Sequence, residues 1–279
     1  MTRRPFLVSR GALCGALATV LLTSCVSTTT TTTSSEGVTA VSETRGRVTD
    51  ADNTDNERRA RVRLELANAY FSRGQLETAL DEVKLSLAAK PDASDALNLS
   101  GLIYAAMGED AKAEDAFGRS LRANARDGAT MQNYGWFLCQ RGRYAEATAM
   151  FEQALALPQY RDAARTLLAR GVCQARAGQL LEAEGSLLRA YELDPANPST
   201  GFNLAEVLYR RQDYERARYH IDRVNAASSA ANAQTLWLAL RIQRKLGNAA
   251  AVKQQGEQLR ARFPQSTEAS LYERGRFDD

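Results

Sequence analysis

Histidine occurs once in the 279 residues, at His220, and that scarcity narrows the chemistry. Mechanisms built on a histidine and a partner nucleophile would have to rest on this single ring. His220 stands among Arg218, Tyr219 and Asp222 on the outer part of a helix, so it is expected to be a solvated surface residue. Neither a Gly-x-Ser-x-Gly elbow nor a phosphate-binding glycine loop is present, so serine-nucleophile and nucleotide-dependent chemistries have no visible machinery. Carboxylate neighbours such as Glu114 and Asp115 read as a solvated helix face rather than an acid–base pair. Cysteine occurs four times, at Cys14, Cys25, Cys139 and Cys173, and the last two, with one histidine far along the chain, lack zinc-ligand spacing. The expectation is a chain that is not an enzyme, with no metal, no cofactor and no small-molecule substrate.

Long apolar runs are also missing. Gly11 to Leu22 is too short to cross a bilayer and follows Arg3, Arg4 and Arg10, the layout of an export signal. The run ends on Leu22-Thr-Ser-Cys25, which resembles a bacterial lipobox. That resemblance implies a signal peptide of residues 1–24, cleavage before Cys25, and diacylglycerol on the Cys25 sulfur. Two or more acyl chains anchor stably where one does not. Val26 follows the cysteine where inner-membrane retention would place Asp, which resembles outer-membrane sorting.

A surplus of positive charge is absent once the signal is set aside. The chain carries 36 basic and 33 acidic side chains, and the three extra arginines all lie in residues 1–24. Nucleic-acid binding by bulk charge loses its main support, and no nucleic-acid partner is expected. From Val26 to about Asn56 the chain is Thr, Ser and small polar residues, with six consecutive threonines from Thr28 to Thr33. Such a stretch buries too little apolar area to fold. With Cys25 it is expected to form a flexible tether over residues 25–56, with a reach of roughly 30 Å.

What remains is periodic. Gly135, Gly142, Ala147, Phe151 and Ala154 recur 36 residues later as Gly171, Gly178, Ala183, Leu187 and Ala190. The loop residue repeats as Gly74, Gly108, Gly142, Gly178, Gln212 and Gly247, and the second-helix residue as Ala79, Ala113, Ala147, Ala183, Ala217 and Val252. Spacings of 34 to 36 residues match the tetratricopeptide period and exceed that of leucine-rich repeats. The chain resembles a six-repeat tetratricopeptide protein. The expected fold is all-α, a right-handed superhelical solenoid over residues 57–264, forming one elongated domain. Leu66, Ala67 and Tyr70 are expected to line the core face of the first helix. Residues 265–279 are expected to cap the open end, with Ser266 or Thr267 starting a short helix and Leu271 and Tyr272 facing inward.

The resemblance narrows at Asn133-Tyr-Gly-Trp-Phe-Leu-Cys-Gln-Arg-Gly142, followed by a cysteine in the next repeat. With the lipobox and six repeats, this is similar to the type IV pilus biogenesis and stability lipoproteins, the secretin pilotins. Taken alone, Cys139 and Cys173 are either a bridge formed in an oxidising compartment or two small residues buried in a helix seam. The family resemblance implies the bridge.

Tetratricopeptide proteins line a concave groove with set positions of each first helix. Here those positions hold Leu64, Asn68 and Phe71 in repeat one, Asn98 and Leu102 in repeat two, and Gln132, Trp136 and Gln140 in repeat three. Repeats four to six add Arg176, Phe202, Tyr209, Trp237, Arg241 and Arg244. Aromatics beside amides and arginines suit capture of a peptide segment, and several of these side chains could equally pack between neighbouring first helices. Repeats five and six, residues 198–264, hold eleven basic and five acidic side chains, which suits an acidic partner or a solvated face. The resemblance implies an outer-membrane lipoprotein facing the periplasm, which binds the pilus secretin and promotes its localisation and multimer assembly. The rivals are a generic envelope scaffold for barrel assembly or cell-wall enzymes, and an envelope enzyme with the repeats as an accessory region.

Overall fold

The computed structural model describes residues 50–158, 160–227 and 229–277, with side chains from residue 54 onward. The signal segment, Cys25 and the tether up to residue 49 lie outside the described residues. Residues 48–279 make one compact unit, in which the thirteen described elements are all α-helices. Twelve of them pair into six hairpins. Repeat one is α1 (Asp50–Ser72) and α2 (Leu76–Ala89), and repeat two is α3 (Ser94–Met107) and α4 (Asp110–Ala123). Repeats three and four are α5 (Gly128–Gln140) with α6 (Tyr144–Leu155), and α7 (Ala163–Arg176) with α8 (Leu180–Leu193). Repeats five and six are α9 (Pro198–Arg210) with α10 (Tyr214–Ala226), and α11 (Ala233–Lys245) with α12 (Ala249–Arg262). A short α13 (Thr267–Glu273) follows.

Two local devices repeat along the chain. The first is the turn. The loop residue adopts a left-handed conformation at Gly74, Gly108, Gly142, Gly178, Gln212 and Gly247. The next backbone N–H then reaches back to a carbonyl in the last turn of the first helix, as in Gln75 to Tyr70 at 3.0 Å and Asp213 to Leu208 at 2.9 Å. This closes the helix end and reverses the chain in three or so residues. Gln212 makes the same turn at φ 65°, a conformation that costs a residue with a Cβ about 1 kcal/mol or more.

The second device is a gap in the first helix. A Cβ built on Gly135 would lie 2.8 Å from the Phe151 ring and 3.2 Å from the Ala147 carbonyl oxygen, and one on Gly171 would lie 2.6 Å from Leu187. Gly101 stands in the same relation to Phe117. Ala67 and Ala205 fill the slot in repeats one and five and are fully buried. The second-helix alanines, Ala79, Ala113, Ala147, Ala183 and Ala217, are likewise fully buried. Small residues therefore meet where each hairpin closes, and Phe117, Phe151, Leu187 and Ile221 fill the space beside them.

Stacking then defines inside and outside. Each first helix lies close to the first helix of the next repeat, while the backbones of successive second helices stand farther apart and meet through side chains, as Glu184 of α8 meets Arg216 of α10. A stack joined this way curves, with first helices on the concave face and second helices fanned on the convex one. Charged side chains tie neighbours together: Asp110 to Arg141 at 2.6 Å, Glu114 to Arg143 at 2.8 Å, and the buried Glu184 to Arg216 at 2.8 Å and to Arg211. Tyr134 donates to Glu114 at 2.9 Å, and burial together with that carboxylate pushes its phenol up to about 12.

Two expectations need correction. Helix α1 starts at Asp50, seven residues before the expected first repeat, because its opening turns are polar and carry no periodicity to signal a helix. Leu66 is 40% exposed rather than core, and Val62, one turn earlier, is 48% exposed. Leu66 occupies the position held by Tyr134 in repeat three, where the ring packs on Phe117 of the preceding repeat. Repeat one has no described preceding repeat, so the same face stays open. At the other end Ser266 caps α13 by accepting from the Ala269 N–H at 3.1 Å, and Leu271 and Tyr272 pack on Leu236, Trp237, Leu240 and Leu259.

Substitutions at the two devices should act in opposite directions. Gln212→Gly removes the Cβ from a left-handed position and should raise unfolding free energy by about 0.5–1 kcal/mol. Gly135→Ala improves helix propensity yet should lower stability by about 1–3 kcal/mol, because the methyl meets Phe151 and backbone. Urea unfolding of the two variants measures both signs.

Candidate partner-binding face

The concave face is built from four rows, set by counting back from the turn residue of each repeat. Ten residues before it stand Leu64, Asn98, Gln132, Phe202 and Trp237, and six before it Asn68, Leu102, Trp136 and Arg241. Three before it come Phe71, Tyr209 and Arg244, and two before it Gln140 and Arg176. These spacings share one side of a helix, so the first-helix candidates are brought onto a single curved surface.

The rows are not uniformly open. Asn68, Gln140, Arg176 and Arg244 are exposed. Leu64 and Phe71 are half-buried against the repeat-one core and Leu102 bridges the cores of repeats one and three, so part of their surface is structural. The exposed apolar strip on α1 is Val62 and Leu66, outside the groove rows. Gln132, at 7% exposed, is buried and not a groove contact. Trp237 is also 7% exposed, because Phe277, after α13, stacks on its indole at 5.8 Å and 14°. Asn98 accepts from Asn133 Nδ2 at 3.2 Å and joins repeats two and three.

Arginines lie over aromatic rings at successive levels of the face. The Arg176 guanidinium is 5.0 Å from the Trp136 ring, and that of Arg241 is 4.8 Å from Tyr209. Arg244 is 4.5 Å from Phe277. Each such contact is worth about 0.5–1 kcal/mol where exposed and holds the guanidinium edge toward the groove. Between α7 and α9 a cleft of about 260 Å³ is lined by Val172, Arg176, Asn203, Glu206 and Arg210 among others. Arg210 Nη1 donates to the Ala175 carbonyl at 3.0 Å across that cleft. Arg210 was legible in sequence, because it stands at the same offset from its turn as Arg176. Phe277 was not, since no repeat offset reaches the terminal segment.

A disulfide joins Cys139 of α5 to Cys173 of α7, with Cα atoms 5.8 Å apart and both residues buried. It lies one turn from Trp136 on one helix and from Arg176 on the other, and so braces the stacked pair. The junction is also the one with the longer connection, where Tyr160 packs on Gly128 and shares a hydrogen bond with Thr166 at 2.8 Å.

The expectation for His220 is overturned: the ring is 7% exposed, edge-on to Tyr191 at 4.9 Å and to Tyr219 at 5.1 Å. The second-helix stripe turned it inward, against the neighbouring repeat. Its Nδ1 is buried without a hydrogen bond. Burial first, then Arg216 and Arg223, hold its pKa below the usual histidine range.

The tetratricopeptide repeat family matches residues 64–129 and 138–198. The type IV pilus assembly protein PilF of Pseudomonas aeruginosa is 26% identical over 205 residues, covering 74% of this chain and 81% of PilF. The crystal structure of PilW, described as a widely conserved type IV pilus biogenesis factor, is 30% identical with a TM-score of 0.71. That match covers 76% of this chain and 97% of PilW. The solved structure of Pseudomonas aeruginosa PilF is 23% identical with a TM-score of 0.70, covering 79% and 99% of the two chains.

Two outcomes test this geometry. His220 is neutral in the folded state with a lowered pKa, so its contribution is present above the ordinary histidine pKa and is lost as pH falls through it toward the folded value. Stability should fall more steeply from about pH 7.5 to about pH 5.5 in the native chain than in His220→Phe. Removing the bridge by Cys139→Ala with Cys173→Ala should cost about 2–4 kcal/mol in denaturant unfolding.

Proposed function

Because the chain belongs to the PilF and PilW family of tetratricopeptide proteins of type IV pilus biogenesis, we propose that it acts as a non-enzymatic, lipid-anchored scaffold for the pilus secretin. Residues 1–24 direct export, and lipid on Cys25 holds the mature chain at the periplasmic side of the outer membrane. The stretch before α1 gives the repeats reach. The concave face binds a segment of the secretin subunit, and the lipid carries the pair to the outer membrane, where secretin multimers assemble.

Recognition on this face rests on one observation above others. Trp136 and Tyr209 stand on the groove rows, half-exposed, each under an arginine from the next repeat. Rings held in place by a neighbour lose little entropy on binding, which is why aromatic and arginine anchors carry much of the energy in protein recognition. The lipid part rests on Leu22-Thr-Ser-Cys25 behind a short apolar run.

Anchor and groove separate experimentally. Cys25→Ala should leave a folded protein that still captures the secretin subunit in vitro but no longer fractionates with outer membranes. Trp136→Ala and Tyr209→Ala should each weaken capture by about tenfold or more, about 1.4 kcal/mol, with helix content unchanged. Undiminished capture by both groove variants moves recognition to the convex face. Outer-membrane fractionation of Cys25→Ala rules out the lipid anchor.

A further inference from the structure

The sixth repeat already holds an occupant. Phe277, from the chain's own terminal segment, lies across α11 with its ring stacked on Trp237 at 5.8 Å and under the Arg244 guanidinium at 4.5 Å. Trp237 and Arg244 are seven residues apart on one face of α11, so a single aromatic side chain spans two groove rows at once. The chain therefore displays one mode of filling the concave face, an aromatic ring sandwiched between an aromatic and an arginine.

The same two partners recur below it. Tyr209 with Arg241, and Trp136 with Arg176, offer a half-exposed ring beside a guanidinium on repeats five and three. The half-buried Arg241 guanidinium has the Tyr209 ring as its described contact, and no carboxylate among the described residues pairs with it. The strongest match for such a guanidinium is a carboxylate. The neighbouring cleft is lined by Arg176 and Arg210 with Glu206 as the one acid among its lining residues, which leaves the balance positive.

We infer that the concave face of repeats three to five binds an extended partner segment in which aromatic side chains alternate with carboxylates. The aromatics stack as Phe277 does, and the carboxylates meet Arg241, Arg176 and Arg210. A basic or purely aliphatic segment leaves the arginines unanswered and binds poorly. This rests on the groove being the recognition surface and adds the chemical class of what it recognises.

The test uses the purified full-length protein in mild detergent and three fluorescein-labelled peptides of equal length, read by anisotropy. The first carries two phenylalanines flanked by aspartates, the second has lysine for each aspartate, and the third has serine for each phenylalanine. The acidic aromatic peptide should bind at least tenfold more tightly than either control, and added salt should weaken it. Arg241→Gln and Arg176→Gln, each with the Cys139–Cys173 bridge intact, should reduce its affinity severalfold or more. Should either variant misfold, the peptide comparison on the unaltered protein decides alone. No binding, or equal binding of the acidic and basic peptides, overturns the inference. If the secretin subunit still depends on Trp136 and Tyr209 while the acidic aromatic peptide does not bind, the ligand class is wrong and the groove reading stands.

Discussion

In five of the six hairpins the second helix lies against the first at a place where a side chain is absent or reduced to a methyl, and in repeat six Leu240 takes that slot. Gly101, Gly135 and Gly171 provide that place in the three central repeats, with Phe117, Phe151 and Leu187 seated in the gap. The close approach fixes the rotation of the first helix about its own axis. Once that rotation is fixed, the residues ten, six, three and two before each turn must share the concave side. The groove side chains are thus held in register by the second helix, and a methyl added at Gly135 or Gly171 would disturb the groove as well as the core.

Register between repeats has its own supports. Two junctions add ion pairs to their apolar packing: repeats two and three at Glu114–Arg143, and repeats four and five at the buried Glu184 with its two arginines. The junction of repeats three and four has a longer connection, and there the disulfide between Cys139 and Cys173 and the wedge of Tyr160 against Gly128 bind α5 to α7. Trp136 and Arg176 sit directly beside that brace. The disulfide-braced junction therefore lies where the face carries the half-exposed Trp136, which fits a surface that must be rigid before a partner arrives.

Much of the fold was written in the sequence, because a repeat multiplies a weak signal. One glycine proves little, but a glycine or its substitute at six regular intervals defines the turn, and even Gln212 was placed by its neighbours' spacing. The groove rows followed from the same counting. What escaped were the ends. Helix α1 begins at Asp50 on turns with no apolar stripe, and Leu66 is exposed because the face that Tyr134 presents to a preceding repeat meets none among the described residues at repeat one. Trp237 has the offset of a groove residue but lies under Phe277, a contact that no repeat period encodes. His220 misled for a related reason: polar neighbours on its own helix suggested solvent, while Tyr191 of the adjacent repeat decided its burial.

The central claim is that the secretin subunit is held on the concave face and not on the convex one. Photo-crosslinking in intact envelopes tests it most directly, with a photoreactive residue placed in turn at Gln140, exposed on a groove row, and at Leu181, 65% exposed on the second helix of repeat four. The account predicts a crosslink to the secretin subunit from position 140 and none from position 181. A crosslink from position 181 with none from position 140 would contradict it.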